Sequence, residues 1–194
     1  MKVVMGVDPG AANLGFGVVR IEGAHMVALD GGVIETSPSE PPERRLSRIH
    51  KALSELIEWH EPRALAIEDL FFNRNVRSAM IVGQALGVSM LAAGQRGVQC
   101  FTYTPQAIKL AVCGSGSAGK KQVGRMVGTL LGLPEAPSSE HAADALAVAI
   151  CHAAAGPVAE AEIKVRRTST HPGTPASEAE DVPGIGSMPG IGSA

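Results

Sequence analysis

Residues 3–19 of the chain read VVMGVDPGAANLGFGVV. The first five are apolar and predict a short buried strand that Asp8 ends. A Pro-Gly turn follows, and a second strand is predicted over residues 13–21. Gly15 and Gly17 leave room for a tight strand start and for the close approach of a phosphate. A carboxylate that closes a buried strand is costly unless it has a partner, so Asp8 is a candidate functional residue.

Two later segments end or begin in the same way. Glu68 closes the apolar run 64–67, and His141 and Asp144 open an apolar helix over residues 142–155. Residues three apart share one face of a helix, so the His and Asp side chains point in the same direction. Each feature alone has an ordinary structural interpretation, as a turn residue or a helix cap. Together, at three element ends, they predict ligands for hard divalent cations.

This ligand set predicts phosphodiester hydrolysis. Sites in mixed α/β sheets lie at the carboxyl ends of strands, where Asp8 and Glu68 are both expected. Two divalent ions about 3.5–4 Å apart would clamp an in-line attack by water. In this hypothesis Asp8 bridges the ions, Glu68 holds one, and His141 with Asp144 holds the other. No separate general base is needed, because the metal lowers the pKa of water.

The bulk composition limits the class of protein. The 194 residues are 45% hydrophobic and only 3% aromatic, which suits one domain with an aliphatic core plus an extension. Three cysteines without metal-site spacing favour a reducing, cytoplasmic compartment. We expect no signal peptide, because the first apolar run is short and ends in Asp8. We also expect no membrane span, because no apolar run reaches about 18 residues.

The formal net charge of −2 conceals a basic block. Residues 70–134 contain no Asp or Glu and seven cations: Arg74, Arg77, Arg96, Lys109, Lys120, Lys121 and Arg125. A basic block flanked by acidic clusters suits a polyanionic ligand that is cut at a metal site. An ordinary solvated helix surface is the alternative.

Hydrophobic periodicity predicts an α/β fold with a mixed sheet covered on both faces. The predicted strands are 2–8, 13–21, 26–34, 63–68 and 98–103, and the predicted helices are 43–60, 76–95, 105–112, 120–132 and 138–155. In the second helix, Ala79, Gly83 and Gly87 recur every four residues, which suggests close packing against a neighbouring element such as a second subunit. Residues 1–156 form the predicted domain. Residues 157–194 are rich in Pro, Gly, Ser and Thr and are predicted to be a disordered tail.

Two local motifs are candidates for contacts with DNA. Phe71 and Phe72 follow Glu68 and precede Arg74 and Asn75, so an aromatic ring could stack on an unpaired base. Burial of both rings in the core is the alternative, and we prefer one ring inside and one outside.

The second motif is GSGSAGKK at residues 114–121, which nearly matches a phosphate-binding P-loop. Lys121 stands where that motif needs Ser or Thr, so the magnesium-binding hydroxyl is missing. We interpret the segment as a cationic loop whose amides and lysines, Lys120 and Lys121, meet DNA phosphates.

Taken in order, GVDPGAANLGFGVV, AIEDLFFNRN, GQALGV, GSGSAGKKQV and HAADALAVAI resemble the RuvC family of Holliday junction resolvases over about residues 1–155. The resemblance implies an RNase H-like fold, with a five-stranded mixed sheet flanked by helices on both faces. It also implies a homodimer, magnesium-dependent symmetric nicking of four-way DNA junctions, and cooperation with the RuvA–RuvB branch-migration complex.

Motif matching places four residues at the family's catalytic metal-ligand positions: Asp8, Glu68, His141 and Asp144. Phe71 takes the position of an aromatic residue near the junction, and Lys109 and Lys120 take those of DNA-contacting lysines. Many members have Asp where this chain has His141. A neutral imidazole removes one negative charge and suits softer ions, which favours Mn²⁺ over Mg²⁺.

Two other functions remain open from the sequence. A related RNase H-like nuclease acting on RNA precursors shares the first motif, but not the aromatic and lysine stretches. A junction-binding module with a weak catalytic site is the second. An actin-like sugar kinase also begins with a similar turn, but it needs a second lobe that 194 residues cannot supply.

Overall fold

The computed structural model describes residues 1–69 and 76–168, and residues Met1–Ala159 form its first compact unit. The strands are β1 (Lys2–Asp8), β2 (Asn13–Glu22), β3 (His25–Glu35), β4 (Ala64–Glu68) and β5 (Gln99–Tyr103). The helices are α1 (Pro42–His60), α2 (Val76–Gly94), α3 (Pro105–Cys113), α4 (Lys120–Leu130) and α5 (Glu140–Thr168).

The strands form one mixed sheet in the order β3-β2-β1-β4-β5. β1, β2 and β3 pair antiparallel as a meander, whereas β4 pairs parallel with β1 and β5 pairs parallel with β4. Val7 lies opposite Ile67, so the last residues of these two neighbouring strands, Asp8 and Glu68, lie at the same edge of the sheet. Parallel pairing is therefore what brings the first two predicted ligands together.

Alternation along the central strands divides the core into two layers, because successive side chains point to opposite faces. Val4 and Ala66 face the layer formed by α3, α4 and the first half of α5. Met5 and Leu65 face the layer formed by α1 and α2. Helices thus cover both faces of a five-stranded mixed sheet, which confirms the predicted fold class.

Glycines on the sheet let α5 approach the strands closely. A Cβ at Gly6 would overlap the carbonyl oxygen of Ala145, and a Cβ at Gly15 would overlap that of His141. Gly17 lies against Leu146 in the same way. The first turns of α5 therefore rest directly on the backbone of β1 and β2.

The close approach predicted at Gly15 and Gly17 is therefore real, but α5 occupies that space and not a phosphate. The expectation of close packing at Gly83 and Gly87 is not met within the chain, since a Cβ at either position would have nothing within 4 Å. That face of α2 is open to solvent in the single chain.

The C-terminal part of α5 differs from the sequence prediction. Helical geometry breaks at Gly156, close to the predicted helix end, and then resumes as far as Thr168. Residues 157–168 are therefore helical where a disordered tail was expected, because Ala, Glu, Lys and Arg in this stretch are good helix formers. For residues 169–194, which lie outside the described part, disorder stays a prediction. Among the described helices, none is both long and apolar enough to cross a membrane.

Candidate active site

Asp8 and Glu68 mark the carboxyl ends of the two central parallel strands. Each closes a run of buried apolar residues, and each side chain lies at the boundary between the core and solvent. Beyond Asp8 the chain turns so sharply that a Cβ at Gly10 would overlap the carbonyl oxygen of Asn13. Thr36 fixes the same turn through a hydrogen bond from its backbone N–H to the Ala12 carbonyl oxygen, at 2.8 Å.

His141 reaches this edge of the sheet from the first turn of α5. Its Nδ1 lies 2.8 Å from Oδ2 of Asp8, 133 residues away in the chain. The contact depends on the close packing of α5 over Gly15, which sets the height of the His141 backbone above β2. The Asp8 side chain is only 20% exposed, so its carboxylate has little freedom to turn away from the imidazole.

The charges of Asp8 and Asp144 both influence the pKa of Glu68. Burial, together with the negative charges of Asp8 and Asp144, raises the pKa of Glu68 to about 7. Lys120 and Lys109 act in the opposite direction on this pKa. Asp8 on β1, Glu68 on β4 and Asp144 on α5 therefore interact electrostatically.

Asp144 lies one turn beyond His141 on the same face of α5. Burial raises the pKa of Asp144, and the charge of Asp8 adds to that effect. Nζ of Lys120, at the start of α4, lies 3.8 Å from Oδ2 of Asp144 and 3.5 Å from Oε2 of Glu140. Lys120 thus contacts the acidic cluster directly.

The donor set fits a divalent cation, although some side-chain rotation is needed. Among the described residues, no three His, Cys, Asp or Glu side chains stand close enough together to enclose an ion. The Asp8–His141 spacing of 2.8 Å nevertheless resembles that of neighbouring ligands around an octahedral ion, which lie about 3 Å apart when each is about 2.1 Å from the metal. Added positive charge would also relieve the repulsion that raises the pKa of Glu68. Rotation of Glu68 and Asp144 towards that pair would complete a site.

A cleft of about 420 Å³ opens beside Asp144, between the start of α4 and the start of α5. Its polar lining comes from Lys120, Lys121, Arg125, Ser138, Glu140 and Asp144. Arg125 and Glu140 were not among the predicted site residues. Sequence signals for them existed, because Arg125 follows Lys121 by four residues and so shares its helix face, and Glu140 directly precedes His141.

The predicted DNA-binding residues are only partly described. Lys120 and Lys121 line the cleft, and Lys109 on α3 is close enough to Glu68 to influence its pKa. Arg77 belongs to α2, but its side chain lies outside the described part. The predictions for Phe71, Phe72, Arg74 and Asn75 also fall outside the described residues.

Comparison with known proteins identifies similar chains over nearly the whole compact unit. A family model described as crossover junction endodeoxyribonuclease RuvC matches residues 4–152. Crossover junction endodeoxyribonuclease RuvC of Pelotomaculum thermopropionicum is 50% identical over 151 residues, which are 78% of this chain and 92% of the relative. The protein of the same name from Rubrobacter xylanophilus is 48% identical over 152 residues, covering 78% of this chain and 85% of the relative.

A solved structure gives the same result. Thermus thermophilus RuvC in complex with Holliday junction substrate matches with a TM-score of 0.77 and 42% sequence identity. The match covers 84% of this chain and 97% of that one. The family-model match over residues 4–152 includes all four predicted ligands, Asp8, Glu68, His141 and Asp144.

Proposed function

The chain belongs to the RuvC family of crossover junction endodeoxyribonucleases, and we propose that its acidic site cuts four-way DNA junctions by paired, symmetric nicks. The enzyme is a nuclease of DNA recombination and repair. The observation that carries the assignment of the site is the meeting of Asp8, Glu68, His141 and Asp144 at one edge of the sheet. These are the residues that hold the metal in our proposal.

The family is dependent on divalent metal, and two ions per site are our proposal for this chain. Bound there, two divalent cations would lower the pKa of an attacking water and neutralise charge on the phosphate. Before an ion binds, the hydrogen bond with His141 orients the Asp8 carboxylate. Glu68 and Asp144 would supply the remaining oxygen ligands from the two sides of Asp8. Because His141 supplies a nitrogen, we propose that Mn²⁺ binds more tightly than it would to an all-carboxylate site.

The positive side chains beside the carboxylates would hold the cleaved strand. Lys120, Lys121 and Arg125 line one cleft, and Lys109 lies on the Glu68 side. We propose that the phosphates on either side of the scissile bond lie against these two groups. Arg74, Arg77 and Asn75 complete the predicted contacts, and Phe71 or Phe72 would stack on a base at the crossover.

A homodimer would place two such sites on one junction, as paired nicking requires. On α2, Met80, Ile81, Met90 and Leu91 are between 38% and 64% exposed. The helix carries no charged residue from position 79 to 94, and Gly83 and Gly87 leave its backbone accessible. An apolar face of this kind on a helix favours burial against a second copy. Cooperation with a RuvA–RuvB branch-migration complex rests on the family resemblance alone.

The dimer proposal is tested by adding a charge to this face. Leu91→Lys should convert the protein to a monomer in multi-angle light scattering, because a lysine cannot be buried there without a partner. Trp59→Lys is the matched control, since Trp59 is 83% exposed on α1 and should tolerate the charge. A Leu91→Lys protein that remains dimeric would place the interface elsewhere.

The nuclease site is tested by cleavage of a synthetic four-way junction. Asp8→Asn and Glu68→Gln should each lower the single-turnover rate at least a hundredfold in Mg²⁺ and leave junction binding near the parental level, because each removes a metal-binding charge. Glu22→Gln is the control, since Glu22 closes β2 at the opposite edge of the sheet and pairs with Arg20. A rate above one-tenth of parental in either site variant would exclude this set of ligands. A hairpin RNA, run in parallel, should remain uncut.

A further inference from the structure

Lys120 forms ion pairs with two carboxylates of α5, and one of them is an expected metal ligand. Its Nζ lies 3.5 Å from Glu140 Oε2 and 3.8 Å from Asp144 Oδ2. In the proposed function Asp144 binds a divalent cation, and Lys120 binds DNA phosphate. In the structure neither role is open, because the Lys120 ammonium group is paired with the carboxylates of Asp144 and Glu140.

A divalent ion on Asp144 and a lysine in this position would repel each other. An ammonium and a divalent ion held about 4 Å apart in water repel enough to change a binding constant roughly 30-fold, before salt screening and side-chain motion reduce the effect. Lys120 can relieve the repulsion by moving. The Lys120 side chain is 69% exposed, and the residue is the first of α4, directly after Gly119. Rotation of this side chain into the cleft therefore disturbs no core packing.

The cleft gives the lysine a second position. Lys121 and Arg125 line the same space and make it attractive to phosphate. A phosphate bound there would attract Lys120 away from Asp144. Glu140 lies outside the predicted ligand set, so it can retain the lysine nearby without occupying a metal position.

We propose that Lys120 is an exchangeable counter-ion that couples metal binding to DNA binding. Without DNA it neutralises Asp144 and Glu140 and weakens the binding of a divalent ion. When a DNA phosphate enters the cleft, Lys120 transfers to it, and Asp144 becomes available to the ion. Linkage requires the effect to be reciprocal, so bound metal strengthens junction binding by the same factor. The metal site is thus completed most readily where a strand is in position to be cut.

The inference rests on the proposed metal site, and calorimetric titration with Mn²⁺ tests it separately from cleavage. In the absence of DNA, Lys120→Gln and Lys120→Met should bind Mn²⁺ about fivefold more tightly than the parental chain. Lys120→Arg keeps the charge and should bind as the parent does. Lys121→Gln is the matched control, because Lys121 lines the same cleft but, within the described part of the chain, pairs with no carboxylate. The Mn²⁺ affinity of this variant should stay within twofold of parental.

The titration is then repeated with a saturating junction whose crossover linkages are uncleavable N3′→P5′ phosphoramidates. If the lysine transfers to phosphate, the parental chain and Lys120→Gln should bind Mn²⁺ within twofold of each other. If Lys120→Gln still binds Mn²⁺ more tightly than the parent when DNA is bound, Lys120 weakens metal binding from a fixed position, and the proposed exchange is overturned. No gain without DNA would overturn the proposal outright. A parental chain that binds no Mn²⁺, or an Asp8→Asn chain that binds it normally, would refute the metal site itself.

Discussion

Replacement of Gly15 by Ala should damage the active site without touching any ligand side chain. A Cβ at this position would lie 2.6 Å from the carbonyl carbon of His141 and would overlap its carbonyl oxygen. Non-bonded carbon atoms sit at about 3.5 Å or more, so the start of α5 must retreat by about 1 Å. That movement would carry the His141 imidazole away from Asp8.

The expected loss can be estimated from this displacement. Misplacement of a catalytic group by about 1 Å can lower a rate about a hundredfold. Overpacking at a tight contact lowers stability by about 1–3 kcal/mol, which most domains survive. Gly15→Ala should therefore fold and bind a four-way junction, but cleave it about a hundredfold more slowly in a single-turnover assay with Mg²⁺.

Gly31→Ala is the matched control on the neighbouring strand. A Cβ there would meet its nearest atom, Cδ1 of Leu146, at 3.5 Å, an ordinary contact. This variant should cleave at the parental rate, and circular dichroism with thermal melting should show both proteins folded. A cleavage rate of Gly15→Ala within threefold of parental would mean that β2 moves to accommodate the added Cβ while α5 stays in place. That result would refute the idea that this glycine positions His141.

Three further predictions concern charge. In the folded protein, burial and the charges of Asp8 and Asp144 raise the pKa of Glu68 from 4.5 to about 7, so the fold loses stability as pH rises through that window. In EDTA, Glu68→Gln should therefore melt at a higher temperature than the parent at pH 8 and show no gain at pH 4.5, and equal melting at pH 8 would contradict this. Replacing Lys120 and Lys121 together by Ala should reduce the slope of log K against log salt by up to about 1.8, and an unchanged slope would place the DNA path elsewhere. His141→Asp should keep cleavage and shift the ion preference from Mn²⁺ towards Mg²⁺, whereas loss of cleavage with both ions would show that a carboxylate cannot replace the imidazole.

The sequence correctly predicted that Asp8 and Glu68 end strands of the sheet, because the signals for strand ends are local. Asp8 and Glu68 each follow an apolar run, and parallel pairing of β1 with β4 then puts them side by side. The boundaries of all five strands fell within two residues of those predicted, since period-two and continuous apolar patterns end at clear turn residues.

Features that depend on tertiary packing were harder to predict. Gly15 was interpreted as space for a phosphate, but a strand pattern cannot show that a helix 126 residues later fills it. The ion pairs of Lys120 with Glu140 and Asp144 depend on how α4 meets α5, and no spacing in the sequence encodes that. Residues 157–168 were assigned to a low-complexity tail by composition, although their Ala and charged residues favour a helix.

The most direct test of the proposed site is an anomalous difference map from crystals of the full chain soaked in Mn²⁺. We predict two peaks about 3.5–4 Å apart at the carboxyl ends of β1 and β4. Asp8 should contact both peaks, Glu68 one of them, and His141 with Asp144 the other. A map with no peak beside Asp8, or with manganese bound only elsewhere on the protein, would contradict the account.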